Sequence, residues 1–441
     1  MPPHKSLFLS IPPEVTEHLL AFCHPRDVAA FSQTCHKAHA LVYNPTDQYL
    51  WRHLFLSYPF DDPRRSINAS NTLSSDPKAL TSAPETFSPD WRHELQRRVH
   101  AEAIAHHGGD RHELFDVFLD AISNAAPLDS GNRTKPSATL TWVHNLLSTT
   151  PILNLFPILS EFQKLSHLHA LLALSLTPGH GASASDRLRL LRRSSRTYVY
   201  DLRNYTEQGQ WGPFCEGADR VDWMHVHAIV ATIAMNLREF GAHWPRKFWP
   251  PALVEGLEAT RAYSASEVFK RSERDWAGVE GYWMRIVCFC DYRDLIRFNA
   301  SGCRPAFFDD DYEEASRLLC LNLRLTSVES DPAVLATLPD PSRPPLTFAG
   351  TMRGFNSDEV LDRALKGTIA VMPDGNIRWS FVSIYDGHDQ WSSEGVQLGN
   401  VCSAAGIVGA WTGALHEHGD PSGPFWLFKT YVQTAKEAWP E

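Results

Sequence analysis

Apolar residues first fall into a helical rhythm between residues 9 and 54. Pro12 and Pro13 stand where a helix begins, because a fixed φ and a missing N–H are harmless in a first turn. Val15, Leu19, Leu20 and Phe22 then share one apolar face. Pro25 opens a second short helix with Val28, Phe31 and Cys35, and a third carries Ala38, Leu41 and Val42. Asp47 is a candidate N-cap for a fourth segment in which Leu50, Trp51, Leu54 and Phe55 lie together. Four short helices cannot bury that much apolar surface among themselves. The remainder needs a partner helix.

The rhythm stops at Asp61–Pro89, a span rich in Ser, Pro, Asn and Thr that offers too little apolar surface to fold and reads as a flexible linker. It resumes at Trp91, Leu95 and Val99, and again at Leu114, Phe115, Phe118 and Leu119. Further helical runs cover 140–147 and 165–176. The longest predicted helix is Asp222–Phe240, with Val226, Ile229, Val230, Ile233 and Leu237 on one side and Gly241 as its stop.

Near Trp276 the period changes from helical to two. Tyr282, Met284, Ile286, Cys288 and Cys290 alternate with Trp283, Arg285, Val287 and Phe289, and Leu321, Leu323 and Leu325 with polar neighbours. Six more strand candidates follow at 346–349, 366–372, 376–385, 394–398, 407–411 and 425–429. Pro373-Asp374-Gly375-Asn376 is a hairpin turn by its Asp-Gly pair. Residues 346–426 hold 12 of the chain's 25 glycines, so turns and close backbone approaches are concentrated there. Eight short strands with no long helix late in the set predict a closed antiparallel barrel, which leaves no exposed edge. The expected fold is α+β and multidomain: a three-to-four-helix module at 1–58, a linker at 59–90, a mostly helical region at 91–275 and a barrel domain at 276–441.

Composition narrows the functions this fold can serve. A chain of 441 residues with 43% hydrophobic and 21% charged content reads as a folded, soluble protein. Its formal net charge of −10 provides no basic footprint for nucleic acid or an anionic membrane. The apolar runs are too short or interrupted to span a bilayer, and the first residues lack the apolar core of a signal peptide. Eight cysteines without framework spacing fit reduced thiols, hence an expected location in the cytoplasm, the nucleus or both.

Chemistry-bearing motifs are missing. There is no G-x-S-x-G elbow, P-loop or H-E-x-x-H, and no cysteine in a recognisable electropositive setting, so neither catalytic residues nor a cofactor are expected. His106-His107, His167/His169 and His225/His227 are poor chelates on helices, His416-Glu417-His418 reads as polar residues on a surface loop between Gly413 and Gly419, and Cys288 and Cys290 lack the other half of a zinc set. No metal site is expected. Arg378, Glu394 and Gln397 alternate with apolar neighbours. They either point into the barrel as ligand contacts, or face solvent, or pair internally; the alternation leaves all three open. Trp391 and Trp411 each begin or end an apolar strand beside glycines and are expected in the core.

The N-terminal segment resembles the F-box, the module that docks substrate adaptors onto the Skp-type linker subunit of cullin–RING ubiquitin ligases. The resemblance rests on Leu9, Ile11, Pro12-Pro13-Glu14, Val15, Leu19-Leu20, Pro25, Asp27-Val28, Phe31, Cys35 and Leu50-Trp51 in that order. Valine stands at Val15 and Val28 where the family usually has Ile or Leu, and Cys23 where Leu is commoner. The resemblance implies Leu9, Ile11, Pro12, Pro13, Val15, Leu19, Leu20, Pro25, Val28, Phe31, Cys35, Leu50 and Trp51 as the linker-binding set. In the second half, Trp391-Ser-Ser-Glu-Gly-Val-Gln-Leu-Gly399, Gly406-Ile-Val-Gly-Ala-Trp411 and Asp420–Trp426 resemble fungal (basidiomycete-type) F-box proteins and the lipocalin-like barrel of vertebrate F-box-only adaptors of cyclin turnover. The implied function is substrate recognition within an SCF (Skp–cullin–F-box) ligase, with an unidentified protein substrate and no catalysis by the chain itself. A lipocalin-like small-molecule binder and an F-box scaffold outside any ligase are the alternatives.

Overall fold

The computed structural model describes residues 11–67, 89–128, 135–154, 157–176, 182–239, 256–265, 274–309, 314–355 and 363–430. Two compact units divide the chain. The first comprises residues 1–127 and 134–155, the second 128–133 and 156–441. The architecture is the expected one in outline: four short N-terminal helices, a helical middle and a closed antiparallel barrel.

The first unit begins with α1 (Pro13–Leu20), α2 (Pro25–Ser32), α3 (His36–Tyr43) and α4 (Tyr49–Ser57). Prolines open α1 and α2, and His24 and Cys35 accept capping hydrogen bonds at the starts of α2 and α3. Leu50, Trp51, Leu54 and Phe55 all turn inward from α4, and the Trp51 indole donates to the Val42 carbonyl at 3.1 Å. That face finds its partner within the chain. It packs on α5 (Trp91–His107), where Trp91 meets Phe55 edge-on and Arg98 lies over the Phe55 and Phe60 rings at 5.0 and 4.8 Å. Helices α6 (Leu114–Ser123) and α7 (Ala138–Thr149) complete the unit.

The stretch expected as a linker is structured at its beginning. Phe60 is buried against Trp142. Asp61 accepts from the backbone N–H groups of Ala126 and Ala138, each at 3.0 Å, and from the Ser137 hydroxyl, and so fixes the start of α7. One aspartate accepting three donors outweighs the polar composition around it. Residues 68–88 of the stretch lie outside the described residues.

The second unit contains α8 (Phe162–Leu172), α9 (Ala182–Val199) and α10 (Trp223–Glu239), then eight strands: β1 Gly281–Phe289, β2 Ala315–Val328, β3 Leu346–Gly354, β4 Arg363–Val371, β5 Ile377–Tyr385, β6 His388–Gln397, β7 Ile407–Gly413 and β8 Gly423–Lys429. Each strand pairs antiparallel with the next, and β8 returns to β1. The Asp374-Gly375 turn joins β4 to β5, with Gly375 at φ +83°. A further helix, α11 (Tyr292–Ala300), lies between β1 and β2; Asp291 caps it, and Leu295 and Phe298 face inward.

Register sorts every strand into two faces. Trp283, Leu321, Phe348, Ile369, Trp379 and Phe381 are cross-strand or alternate-position neighbours that fill the barrel interior. Met284, Ile286, Val396, Val408, Trp426 and Phe428 point the other way and share a core with α10. Helix α10 is therefore enclosed on both sides, by α8 and α9 and by the barrel wall. Where an amphipathic helix was expected, nearly every residue from Trp223 to Leu237 is buried. Gly395 and Gly409 face each other across β6 and β7. A Cβ on Gly409 would stand 2.0 Å from the Glu394 carbonyl, so no larger residue fits.

Enclosure perturbs the histidines of this layer. His167 stacks on Trp223 with centroids 3.3 Å apart, and burial lowers its pKa to about 3. His227 is likewise lowered to about 3 by burial and by His169, and His225 to about 4 by burial against the pull of Asp222. These rings stay neutral when folded but take up protons when unfolded, once the pH drops below 6.5. The unfolded state then binds more protons, so their stabilisation is complete above pH 6.5 and is lost as pH falls toward 3. The expected slope is about 1.4 kcal/mol per pH unit for each ring. Melting curves from pH 7.5 to 4.5 should show a falling midpoint, and His167→Gln should flatten the fall. A pH-independent midpoint would contradict the enclosed, neutral assignment.

Candidate functional site

Helix α1 has two faces of opposite fate. Thr16 and Leu20, four residues apart, are 3% and 4% exposed and hold the helix to its unit. Val15, Leu19 and Phe22 follow the same spacing on the other face and are 47%, 44% and 80% exposed. Pro12 and Pro13 are exposed beside them, and Ile11 is half-buried. A contiguous apolar stripe of this kind, left uncovered beside a well-packed interior, is the signature of an interaction surface. Residues 1–58 carry Lys5, Arg26, Lys37 and Arg52 against Glu14, Glu17, Asp27 and Asp47, so no net charge accompanies the stripe.

The other residues implied for linker binding divide. Pro25 and Phe31 are half-buried and Cys35 is exposed, its sulfur accepting from the Ala38 N–H at 3.4 Å. Leu20, Val28, Leu50 and Trp51 are buried within the chain's own helices, so they shape the module rather than present themselves to a partner. Leu9 lies outside the described residues. Phe22 was legible as part of the apolar face; it stands one residue past the Ala21 C-cap of α1 and is 80% exposed.

The polar trio of the barrel is not brought together as a ligand site. Register places Arg378 and Glu394 on the outer face, because they alternate with the inward Trp379 and Gly395. There the Arg378 guanidinium grips Glu394 Oε2 from Nε and Nη2 at 2.9 and 2.7 Å, and Ser380 donates to the other carboxylate oxygen at 2.5 Å. Arg378 also donates to Gln210 and lies 4.7 Å above the Phe214 ring. Burial pushes the Glu394 carboxyl above the usual carboxylate range, against the opposing pull of Arg378 and Ser380. The internally paired reading holds for these two. The pair bolts the 206–221 segment to the barrel. Gln397 faces inward; its Nε2 donates to the Asn400 carbonyl of the β6–β7 loop at 3.0 Å, while its Oε1 is buried with no donor.

The two tryptophans expected in the core, Trp391 and Trp411, are instead half-buried at the open end of the barrel, edge-to-face with centroids 5.2 Å apart. The glycines beside them end the strands there, so the rings fold over an opening and not into a filled interior. That opening leads to a cavity of about 680 Å³ with Arg285 among its lining. Arg285 was visible in the sequence as a charge inside an otherwise apolar alternation. Among the described residues, no group of three or more His, Cys, Asp or Glu is placed to hold a metal, and no helix is long and apolar enough to cross a membrane.

Compared with known protein families, residues 8–47 match the F-box domain. The chain thus carries an F-box at its N-terminus, and the α1 stripe is a surface of that domain. No curated protein and no solved structure matches the chain.

Removing Arg378 would leave Glu394 enclosed without its counter-charge. Arg378→Ala should cost on the order of 2–3 kcal/mol, reduced from a fully buried pair because the guanidinium is partly exposed. Replacing Arg378 and Glu394 together should cost less than the sum of the single changes. Melting curves of the two single variants and the double variant measure the coupling; additive costs would show that the pair does not act as one.

Proposed function

We propose that this chain is a substrate-recognition subunit of an SCF ubiquitin ligase. The α1 stripe of Val15, Leu19 and Phe22 docks on the Skp-type linker subunit and through it on a cullin–RING assembly. The single observation that carries the reading is this uncovered apolar stripe within a matched F-box domain. The second unit then holds a protein target beside the charged conjugating enzyme. Its contribution to catalysis is proximity, since tethering raises the local concentration of target lysines.

The resemblance of the Trp391–Gly399 and Gly406–Trp411 motifs to fungal F-box proteins and to lipocalin-like adaptor barrels supports a receptor role for the barrel. None of the eight cysteines is joined in a disulfide, in keeping with work in the cytoplasm or nucleus. The chain itself acts as adaptor and not as catalyst in this reading, and neither nucleic acid nor membrane is a partner.

Purified linker and cullin test the assignment directly. Leu19→Asp and Phe22→Asp should each lower linker affinity by orders of magnitude, because a carboxylate is forced into a desolvated contact. Both sites are open, so stability should stay within about 0.5 kcal/mol. Leu20→Asp should instead destabilise the first unit by about 3 kcal/mol or more. Affinity for the linker should change only a few-fold between low and high salt, since the domain has no net charge to steer encounter. Undiminished binding by the Leu19 and Phe22 variants would overturn the docking assignment.

A further inference from the structure

Four arginines are buried among the described residues: Arg98, Arg196, Arg261 and Arg285. Three have a carboxylate partner. Glu94 stands 3.6 Å from Arg98, Glu258 stands 2.9 Å from Arg261, and Glu314 stands 2.8 Å from Arg196. The Arg196 site is the most complete, because Tyr200 and Asn236 also donate to the same Glu314 carboxylate. Arg285 has no such partner.

Arg285 projects from β1 into the barrel, in register with Leu319 and Leu427, and is 3% exposed. Its guanidinium lies between the Phe381 and Phe425 rings, 5.0 and 4.8 Å from their centroids. Nη2 donates to the Ser393 hydroxyl at 2.7 Å, while Nε is buried with no acceptor. The Ser383 hydroxyl, 1% exposed and also facing the interior, is buried without a partner. Burial lowers the Arg285 pKa to about 10, so the group remains charged at neutral pH. A charge withdrawn from water with one neutral hydrogen bond and two aromatic faces is a costly arrangement, which an anion within reach would relieve.

The space for that anion is present. Arg285 and Ser383 both line the cavity of about 680 Å³ at the barrel's open end, a volume within the range that holds small ligands. Its walls include Phe289, Leu319, Met352, Trp391 and Trp411. Arg317 and Arg363 stand at its rim against the Phe289 and Tyr385 rings, at 5.1 and 4.3 Å, with no ion-pair partner among the described residues. The acids of the rim are differently occupied. Asp291 caps α11, Asp420 accepts from the Glu417 N–H at 2.9 Å, and Glu417 itself is exposed on the turn.

We propose that the barrel interior binds an anionic group carried on an apolar stem, the anion completing Arg285 and the stem lying against the tryptophan-lined wall. The chemistry is that of a carboxylate on an aliphatic or aromatic body. Its source is either a free organic acid or a carboxylate at the end of a peptide chain. The site does not depend on the ligase assignment, since it rests on the barrel alone.

Calorimetric titration of the full chain with decanoate, decanol and decylamine separates charge from stem. Decanoate should bind at one site at least tenfold more tightly than decanol, and decylamine should not bind. A short apolar peptide with a free C-terminal carboxylate, compared with its amidated form, identifies the source. Binding by the carboxylate peptide alone assigns a protein end, and binding by decanoate alone a free acid. Arg285→Met should abolish the preference for decanoate over decanol, and without ligand it should melt at the same or a higher temperature, because the uncompensated charge is gone. Arg285→Lys, which keeps the charge, should retain the preference at reduced affinity. If wild-type protein binds none of the carboxylates more tightly than its neutral counterpart, or if Arg285→Met keeps the preference, the proposal fails. A lower melting point for Arg285→Met would mark the arginine as a structural group and would also overturn it.

Discussion

The second unit depends on the enclosure of α10. This helix is apolar on nearly every side, so it has to be covered twice, by α8 and α9 on one side and by the outer wall of the barrel on the other. That requirement fixes which side of β1, β7 and β8 is outside, because Met284, Ile286, Val408, Trp426 and Phe428 must meet the helix. The opposite residues then necessarily turn into the barrel. Trp379, Phe381 and Phe425 fill much of that interior, and its open end, walled by Trp391 and Trp411, is lined with arginine. The same enclosure holds His167, His225 and His227 neutral and spends the Arg378–Glu394 pair on attaching a covering loop.

The first unit answers the same need differently. Its fourth helix covers its apolar face with α5 from the same chain, but the outer stripe of α1 receives no cover among the described residues. A short helix with Leu20 locked inside and Leu19 and Phe22 outside is well suited to docking. The inner contacts hold the backbone still, and little ordering remains to be done when a partner arrives.

Much of this architecture was legible in the sequence. The order and spacing of Pro12-Pro13, Val15, Leu19-Leu20, Pro25 and Val28 marked the N-terminal module; each of the eight strand candidates overlaps an observed strand, the first two marked by period-two alternation and several of the others covering only part of their strand. What alternation does not encode is which face of a strand is inside. In β6 the residues from Ser392 to Gln397 are buried on both faces, so polarity was no guide to the fate of Glu394. The bulk of Trp379 and Phe381 was a usable signal, since large rings fill a small barrel and their neighbours Arg378 and Ser380 must then lie outside. Helix α11 was also within reach, given Asp291 as its cap and Leu295 and Phe298 three apart. The role of Asp61 was not, because a single carboxylate collecting three donors from residues 126–138 leaves no trace in local composition.

The central claim is that the α1 stripe, and not the buried face of α4 or the barrel, meets the linker subunit. Amide hydrogen exchange on the full chain, with and without the Skp-type linker, reads this residue by residue without any substitution. The account predicts that slowed exchange on binding centres on residues 13–23, with the barrel strands unchanged. Unaltered exchange along α1, or protection confined to residues 281–429, would contradict it.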